Sequence, residues 1–462
     1  MDRSSEEFSA SDEVFVMSWL DRYRLKLYLR NSIWILPAVS ILVGLVAVWV
    51  LNRTERALGW QMNIAPETAR TVMATIAGSM FTLVVIGSSA VLLAVQLASA
   101  QLTPRIIALV YRNNIRKVSL ALFVFTFTFS VGTLVRIEGS VPLLTGYLAA
   151  YGFLANLALF LYFTDGIGKA IRPSSALRSI ALEGRAVIQS VYPSRIDEEH
   201  SRALEPIENL ERKPERVIFN QVDGVVLAFN LKGLVLLGQR SDCLIELVPE
   251  VGDFIAAGDP LFRLYEGGAD LSEDRFLESV AIGQERTLEQ DPMFAFRIIV
   301  DIASKALSPA INDPTTAVLA LDQIHHLLRD VGSRNLAEGR EADSTGRVRL
   351  IYRTPNWEDF VRLALTEVRQ YGRDSIQVQR RMRAMLENLI ETLPDRRAPL
   401  LARELGLLDA SSKRIFPDRD DQLLAETGDL QGIGGSHEED THGPLAAHAG
   451  ANSRRNVTSC QK

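Results

Sequence analysis

The stretch Thr71–Pro104 reads TVMATIAGSMFTLVVIGSSAVLLAVQLASAQLTP and contains 34 residues without one charged side chain. A helix needs about 20 apolar residues to cross a hydrocarbon core roughly 30 Å thick. At 1.5 Å per residue, this stretch would form a helix about 51 Å long. We therefore expect a membrane helix that tilts or projects beyond the bilayer.

Three further stretches lack charged side chains and are long enough to cross a membrane: Asn31–Asn52, Val118–Val135 and Gly139–Thr164. The sequence therefore predicts a multi-pass α-helical membrane protein with four transmembrane helices within residues 31–164. The first stretch begins beyond residue 30, and no small-residue cleavage site follows it. We interpret it as a retained anchor and not as a cleaved signal peptide.

The N-terminal segment, residues 1–30, ends in a region with two stripes at helical spacing. One stripe is apolar and the other is basic: Trp19, Tyr23 and Leu27, then Arg22, Lys26 and Arg30. A helix of this kind can lie in the membrane interface with its cations against anionic lipid. An ordinary positively charged segment before a membrane anchor would have the same composition. The sequence leaves both interpretations open.

Charge indicates how the chain is oriented. Lysine and arginine number 50 against 56 acidic residues, a net charge of −6, which argues against a general nucleic-acid-binding protein. The N-terminal segment, the loop after the second span and the start of the region after the fourth span together carry 12 basic residues, whereas the opposite side carries 4. By the positive-inside rule, we expect both termini in the cytoplasm and the chain in the bacterial inner (plasma) membrane.

The second span carries a polar stripe made of Thr75, Thr82, Ser89 and Gln96, which recur every seven residues. Seven residues are close to two helical turns, so these side chains share one face. The stripe could line a water-filled path in an oligomer or bundle. Packing between helices uses the same small hydroxyl residues and is the interpretation that the sequence favours. No Asp, Glu, Lys, Arg or His lies inside any span, which argues against a pump or a proton-coupled transporter.

The region after the fourth span is predicted to be a cytoplasmic α+β domain. Short Val- and Ile-rich runs cut by Asp-Gly and Gly-Asp pairs predict a small β-barrel-like subdomain. Its segment Val251–Leu261 resembles the turn-rich edge of biotinyl- and lipoyl-type barrels but lacks a modifiable lysine, so we expect no attached cofactor. The predicted divisions are a helical connector, the β subdomain, a helical subdomain and a disordered tail: residues 165–215, 216–265, 266–410 and 411–462.

The most distinctive motif is Arg286-Thr-Leu-Glu-Gln-Asp, followed by Val-Asp301-Ile-Ala-Ser-Lys305-Ala-Leu-Ser-Pro and Asn312-Asp313-Pro. Together with Gln-Leu-Ala-Ser-Ala-Gln-Leu-Thr-Pro-Arg105 at the end of the second span, it resembles a bacterial family of predicted membrane proteins catalogued as domain of unknown function 2254. The resemblance covers roughly residues 20–410. It departs in the β subdomain, where an aromatic residue and a glutamine are expected near Val225 and Leu227. The resemblance implies the topology and a cytoplasmic domain, and it supplies no established reaction.

The motif supplies a candidate polar site in the cytoplasmic region. Arg297, Asp301 and Lys305 are spaced by four and form a ladder on one helix face. The remaining members lie before this helix or at the start of the next one: Arg286, Gln290, Asp291, Asn312 and Asp313. Helix caps and a charge ladder explain most of this pattern. A pocket for an anion or small ligand near Arg286, Arg297 and Lys305 is the functional alternative.

No catalytic or metal-binding pattern is recognisable. Two cysteines are too few for a cysteine-based zinc site, and the adjacent pair His325-His326 diverges by about 100° on a helix, so no metal site is predicted. Phosphate-loop, dinucleotide and G-x-S-x-G motifs are missing from the sequence, so we expect no enzyme.

We expect an oligomeric channel-like or transport-related protein that is gated by its cytoplasmic domain. The alternative is a membrane-anchored scaffold or sensor that conducts nothing. The expected partners are the lipid bilayer and further copies of the same chain, and no nucleic acid. Any small ligand or ion is left open.

Overall fold

The computed structural model describes residues 17–107, 111–137, 141–196, 213–268, 270–336 and 339–435. Its first part consists of five helices and one short two-stranded sheet: α1 (Trp19–Asn31), α2 (Ile35–Leu58), β1 (Gln61–Met62), α3 (Pro66–Gln101), α4 (Asn114–Leu134), β2 (Val141–Pro142) and α5 (Leu143–Ala170). Helices α2 to α5 are each long and apolar enough to cross a membrane. The prediction of four membrane helices is therefore confirmed.

Helix α4 lies at the centre of the four and packs against α2, α3 and α5. Small residues bring these helices close together, since Gly44 of α2 contacts Thr128 and Gly132 of α4 contacts Val48. The buried carboxylate of Glu55 accepts hydrogen bonds from the first backbone N–H groups of α5. A carboxylate at a helix N-terminus satisfies donors that the helix itself cannot.

Helix α3 begins at Pro66, a residue suited to the first position of a helix. Its 36 residues correspond to about 54 Å, well above the thickness of a hydrocarbon core. The residues Val95, Ala98 and Leu102 near its end belong to the hydrophobic core of the C-terminal region. The helix thus continues past the membrane-spanning bundle, as its length predicts.

The C-terminal region combines two hydrophobic cores, one helical and one built on β-sheets. Its helices and strands follow in this order: α6 (Pro173–Val191), β3 (Arg216–Phe219), β4 (Gly224–Phe229), α7 (Leu231–Arg240), β5 (Leu244–Leu247), β6 (Phe254–Ile255), β7 (Pro260–Tyr265), α8 (Glu273–Leu277), β8 (Val280–Gly283), α9 (Pro292–Ala306), α10 (Pro314–Gly332), β9 (Arg340–Ala342), β10 (Val348–Tyr352), α11 (Trp357–Tyr371), α12 (Ile376–Thr392), α13 (Ala398–Ile415) and α14 (Arg419–Ala425). The helical core joins α6 and α9 to α13 with the end of α3.

The strands form two open sheets, with the orders β3-β7-β5-β10-β9 and β6-β4-β8. The prediction of a barrel-like subdomain is therefore wrong, because both sheets are open. Its predicted limits, 216–265, are also wrong, because β8, β9 and β10 lie in the segment predicted to be helical. Strand β10 pairs in parallel with β5, joining Leu350 to Ile245 across about 100 residues of chain. Helix α7 lies within the segment that was predicted to be a β subdomain.

The predicted disordered tail, 411–462, is wrong over its first part. Helix α13 extends to Ile415, and α14 follows it. Residues 427–435 wrap around the guanidinium of Arg380, which is only 1% exposed and donates to the carbonyls of Thr427, Gly434 and Gly435. Residues 436–462 lie outside the described part of the chain.

Candidate functional site

The end of α3 is fixed to the polar face of α9. After α3, the Thr103 side chain caps a short 3-10 turn, Pro104–Ile106, which contains Arg105. Arg105 Nη1 donates to Asp301 Oδ2 at 2.5 Å. One turn further along α9, Lys305 Nζ donates to the backbone carbonyl of Ser99 at 3.0 Å. These two contacts join a membrane-spanning helix directly to the C-terminal region, and we call them the α3–α9 junction.

Arg297 extends this junction to α11. Its Nε donates to Asp301 Oδ1 at 2.7 Å, and its two terminal nitrogens donate to the carboxylate of Glu367 at 2.6 and 2.7 Å. This bidentate geometry is the strongest arrangement of a guanidinium and a carboxylate. The hydrogen bonds from Arg297 lower the pKa of Glu367. The predicted ladder on α9 therefore serves to hold α3, α9 and α11 together.

The members of the predicted site that precede α9 lie at its other end. Asp291 caps the helix through its Oδ1, which accepts from the Phe294 N–H at 2.9 Å. Its Oδ2 is buried without a hydrogen-bond partner among the described residues and lies 3.8 Å from Arg286 Nε. Burial raises the pKa of the Asp291 carboxyl to about 6, although the Arg286 guanidinium opposes this rise.

Arg286 and Gln290 bind backbone atoms of the β-sheet region. Arg286 Nε donates to the carbonyl of Gly252 at 2.9 Å, and Gly252 has a positive φ of 99°. A side chain at that position would collide with Arg286 and Asp291. Gln290 exchanges two hydrogen bonds with the backbone of Phe229, at 3.0 and 3.2 Å. These contacts fix the start of α9 against the three-stranded sheet.

The last two members of the predicted site form the connection between α9 and α10. Asn312 has a left-handed backbone with a φ of 48°. Asp313 caps α10 by accepting from the Thr316 N–H at 3.0 Å. The eight predicted residues are thus divided among the two ends and one face of α9 and the start of α10. This arrangement agrees with capping and docking more closely than with a single ligand pocket.

The polar stripe lies on the side of α3 that faces away from α4. Thr75, Thr82, Ser89 and Gln96 are all exposed in the single chain. The Thr75 and Thr82 hydroxyls donate to the carbonyls of Thr71 and Gly78 in their own helix, at 2.8 and 3.0 Å. Contacts within the chain use the opposite face, whose buried residues include Met73, Met80, Gly87 and Ala94. The stripe is therefore not buried within one chain, and its packing and water-path interpretations both stay predictions.

A second group of ion pairs, which the sequence reasoning missed, connects the membrane helices to the loop before α9. Arg30 at the end of α1 lies 2.6 Å from Glu289. Arg112, just before α4, lies 3.5 Å from Glu289 and 3.1 Å from Glu183 of α6. In the sequence, Arg112 counted only as a positive-inside charge, and Arg30 counted also as part of the basic stripe of the N-terminal segment. Their acidic partners are more than 70 residues away, so no local pattern indicates them.

The histidine pair does not form a metal site among the described residues. His325 lies 2.9 Å from the Asn388 side chain, next to Arg381. Across the described ranges, no group of three His, Cys, Asp or Glu side chains could hold a metal ion. The charged residues of this region therefore point to ionic docking between structural elements.

Comparison with known proteins places this chain in a family. Residues 30–388 match the model of a family described as "Predicted membrane protein (DUF2254)". Uncharacterized proteins of Mycobacterium bovis and Mycobacterium tuberculosis are each 26% identical to it over 433 residues, covering 89% of this chain and 82% of theirs. No solved structure matches the chain. The resemblance found in the motif is confirmed.

Proposed function

The chain belongs to the DUF2254 family of predicted membrane proteins, and we propose that it is an oligomeric, channel-like or transport-related protein gated by its C-terminal region. The observation that carries this proposal concerns one helix. Helix α3 bears the exposed polar stripe in its membrane part and ends in the α3–α9 junction. The same element could therefore line a path and receive a movement from outside the membrane.

The direction of the polar stripe supports a path between copies. Within one chain, α4 fills the centre of the bundle, and its Phe123 and Phe129 are fully buried. The stripe faces outward, so copies of α3 around a common axis would present hydroxyls to one another. Hydroxyl-lined paths without fixed charges suit passive conduction. They do not suit ion-coupled pumping, which uses intramembrane ionisable groups.

The α3–α9 junction supports gating by the C-terminal region. Because Ser99 lies in the last turn of α3 and Arg105 lies in the 3-10 turn that directly follows it, a displacement of α9 would pull on α3. A ligand can shift the protein between a conducting and a closed state only as far as its affinities for these two states differ. The structural consequence is that any ligand that moves α9 or α11 would act through Asp301, the carboxylate shared by Arg105 and Arg297.

The alternative function is that of a membrane-anchored scaffold or sensor without conduction. It is favoured by the extent to which the motif residues serve as caps and ion pairs inside one chain. The two functions differ in what faces the stripe. A channel needs several copies with α3 turned inward, whereas a sensor works with the stripe against lipid.

The location that we propose is the bacterial inner membrane, with both termini and the whole C-terminal region in the cytoplasm. The uneven distribution of Lys and Arg, 12 against 4, supports this orientation. It would place the α3–α9 junction where it can meet cytoplasmic ligands.

Cysteine accessibility tests the proposal. In a background with Cys243 and Cys460 replaced by serine, single cysteines are placed at positions 75, 82, 89 and 96. Leu42, which is 65% exposed on α2, gives the matched lipid-facing control. A membrane-impermeant thiol reagent is expected to modify the stripe positions and to leave Leu42→Cys unmodified. Protection at all five positions in intact membranes would reject the channel and favour the sensor.

A further inference from the structure

An apolar groove of about 590 Å³ opens between α2 and α3, with α4 as its floor. Ile41 and Leu45 of α2 form one wall, Phe81 and Val84 of α3 form the other, and Val131 lies on the floor. The volume is within the usual range for small-molecule sites, roughly 300–1,000 Å³. The groove lies among the membrane-spanning helices, so its occupant must come from the membrane.

The length of the groove indicates which membrane component fits. Its lining begins at Val124 of α4 and continues to Val135 and Arg136 just after the helix ends, and the helical part from Val124 to Leu134 measures about 15 Å at 1.5 Å per residue. Half of a hydrocarbon core measures roughly 15 Å. The groove thus matches the depth of one leaflet and the reach of one acyl chain. A helix from a second copy would cross the whole core and need a groove about twice as long.

Arg136 is the charged member of this lining and lies at the end of the groove nearest β2. Its Nη1 is buried and has no hydrogen-bond partner among the described residues. A buried guanidinium N–H without an acceptor is costly. A phosphate oxygen would satisfy it with a charge-assisted hydrogen bond, and the planar guanidinium matches phosphate geometry.

We propose that this groove binds one phospholipid, with an acyl chain between α2 and α3 and its phosphate at Arg136. Two independent features support this proposal. The apolar groove has the depth of one leaflet, and the Arg136 guanidinium at its end has a hydrogen-bond donor without an acceptor among the described residues. The lipid would fill the space between two helices that both pack on α4. This inference does not depend on whether the protein conducts.

Native mass spectrometry of the purified full chain, partly delipidated and then titrated with phosphatidylglycerol, tests the site. We expect one lipid to bind more tightly than the rest. Arg136→Gln should weaken it by about tenfold, the effect of losing one charge-assisted contact. Val131→Trp should abolish it by filling the floor. Two variants serve as controls. Arg53→Gln also removes one positive charge, near the end of α2, and Leu161→Trp adds the same bulk on the exposed side of α5.

Two further ligands separate the chemistry of the headgroup from that of the chain. Diacylglycerol with the same chains should bind at least about tenfold more weakly, because it lacks the phosphate. Inorganic phosphate at millimolar concentration should not displace the lipid. Equal retention by wild type and Val131→Trp, with melting temperatures showing that both are folded, would overturn the proposal. A dimer that forms on delipidation and is lost in Val131→Trp would assign the groove to a second copy instead.

Discussion

Replacing Asp301 with asparagine tests the α3–α9 junction at its shared carboxylate. Asp301 accepts from Arg297 at 2.7 Å and from Arg105 at 2.5 Å. Its side chain is 22% exposed, whereas Arg105 is 46% exposed. The Arg105 contact should therefore contribute at most about 1 kcal/mol. The more buried Arg297 contact should contribute a further 1–2 kcal/mol or so. Arg297 keeps Glu367, so the expected total loss is about 2 kcal/mol.

The assay is the melting temperature of the full chain in lipid nanodiscs. For a melting unit of 150–250 residues, a loss of about 2 kcal/mol lowers Tm by roughly 4–8 °C. Glu358→Gln is the matched control, because it breaks another (i, i+4) pair whose carboxylate is 52% exposed. It should cost less than about 0.5 kcal/mol. Equal effects of the two variants would refute the reasoning. So would full additivity of Asp301→Asn and Arg105→Gln, since the two residues then would not interact.

Three further predictions concern pH, the C-terminal segment and orientation. Asp291→Asn should flatten the pH dependence of Tm, because burial raises the pKa of the wild-type carboxyl from 3.8 to about 6. The contribution of this one group to stability is therefore greatest below pH 4 and falls by up to about 3 kcal/mol as the pH rises through 6; a wild-type-minus-variant difference that rises with pH would contradict this. Truncation after Glu426 should destabilise the chain by about 1.5–3 kcal/mol, because Arg380 would lose the carbonyls that accept its hydrogen bonds and would face water instead, and truncation after residue 435 is the control. Reporter fusions at Leu58 and at the C-terminus should place the first outside and the second inside, and activity of a periplasm-only reporter at the C-terminus would contradict the orientation.

The membrane part of the fold was predictable because its signal is local. An uncharged run longer than the bilayer already indicates a helix such as α3 that projects beyond the membrane. The Asp313-Pro314 pair likewise indicates the start of α10, since a capping side chain and a first-turn proline act within one helical turn. The spacing of Arg297, Asp301 and Lys305 likewise indicates that the three side chains share one face of α9.

The parts that could not be predicted depend on long-range pairing. Nothing in the local sequence connects Asp301 with Arg105, which lies 196 residues earlier. Strand β10 could not be assigned to the sheet of β5 either, because turn residues specify hairpins and not parallel partners. The segment 427–435 has no apolar periodicity, and its order comes from the buried guanidinium of Arg380. Such order is set by hydrogen bonding and leaves no hydrophobic pattern.

The central claim is that α3 turns its polar stripe toward other copies of the chain. Spin labels at position 82 in lipid nanodiscs, measured by pulsed electron paramagnetic resonance, test this directly. The account predicts distinct distances between copies, shorter for labels at position 82 than for labels at position 42 on the exposed side of α2. No dipolar coupling between copies at position 82, or shorter distances at position 42, would contradict it.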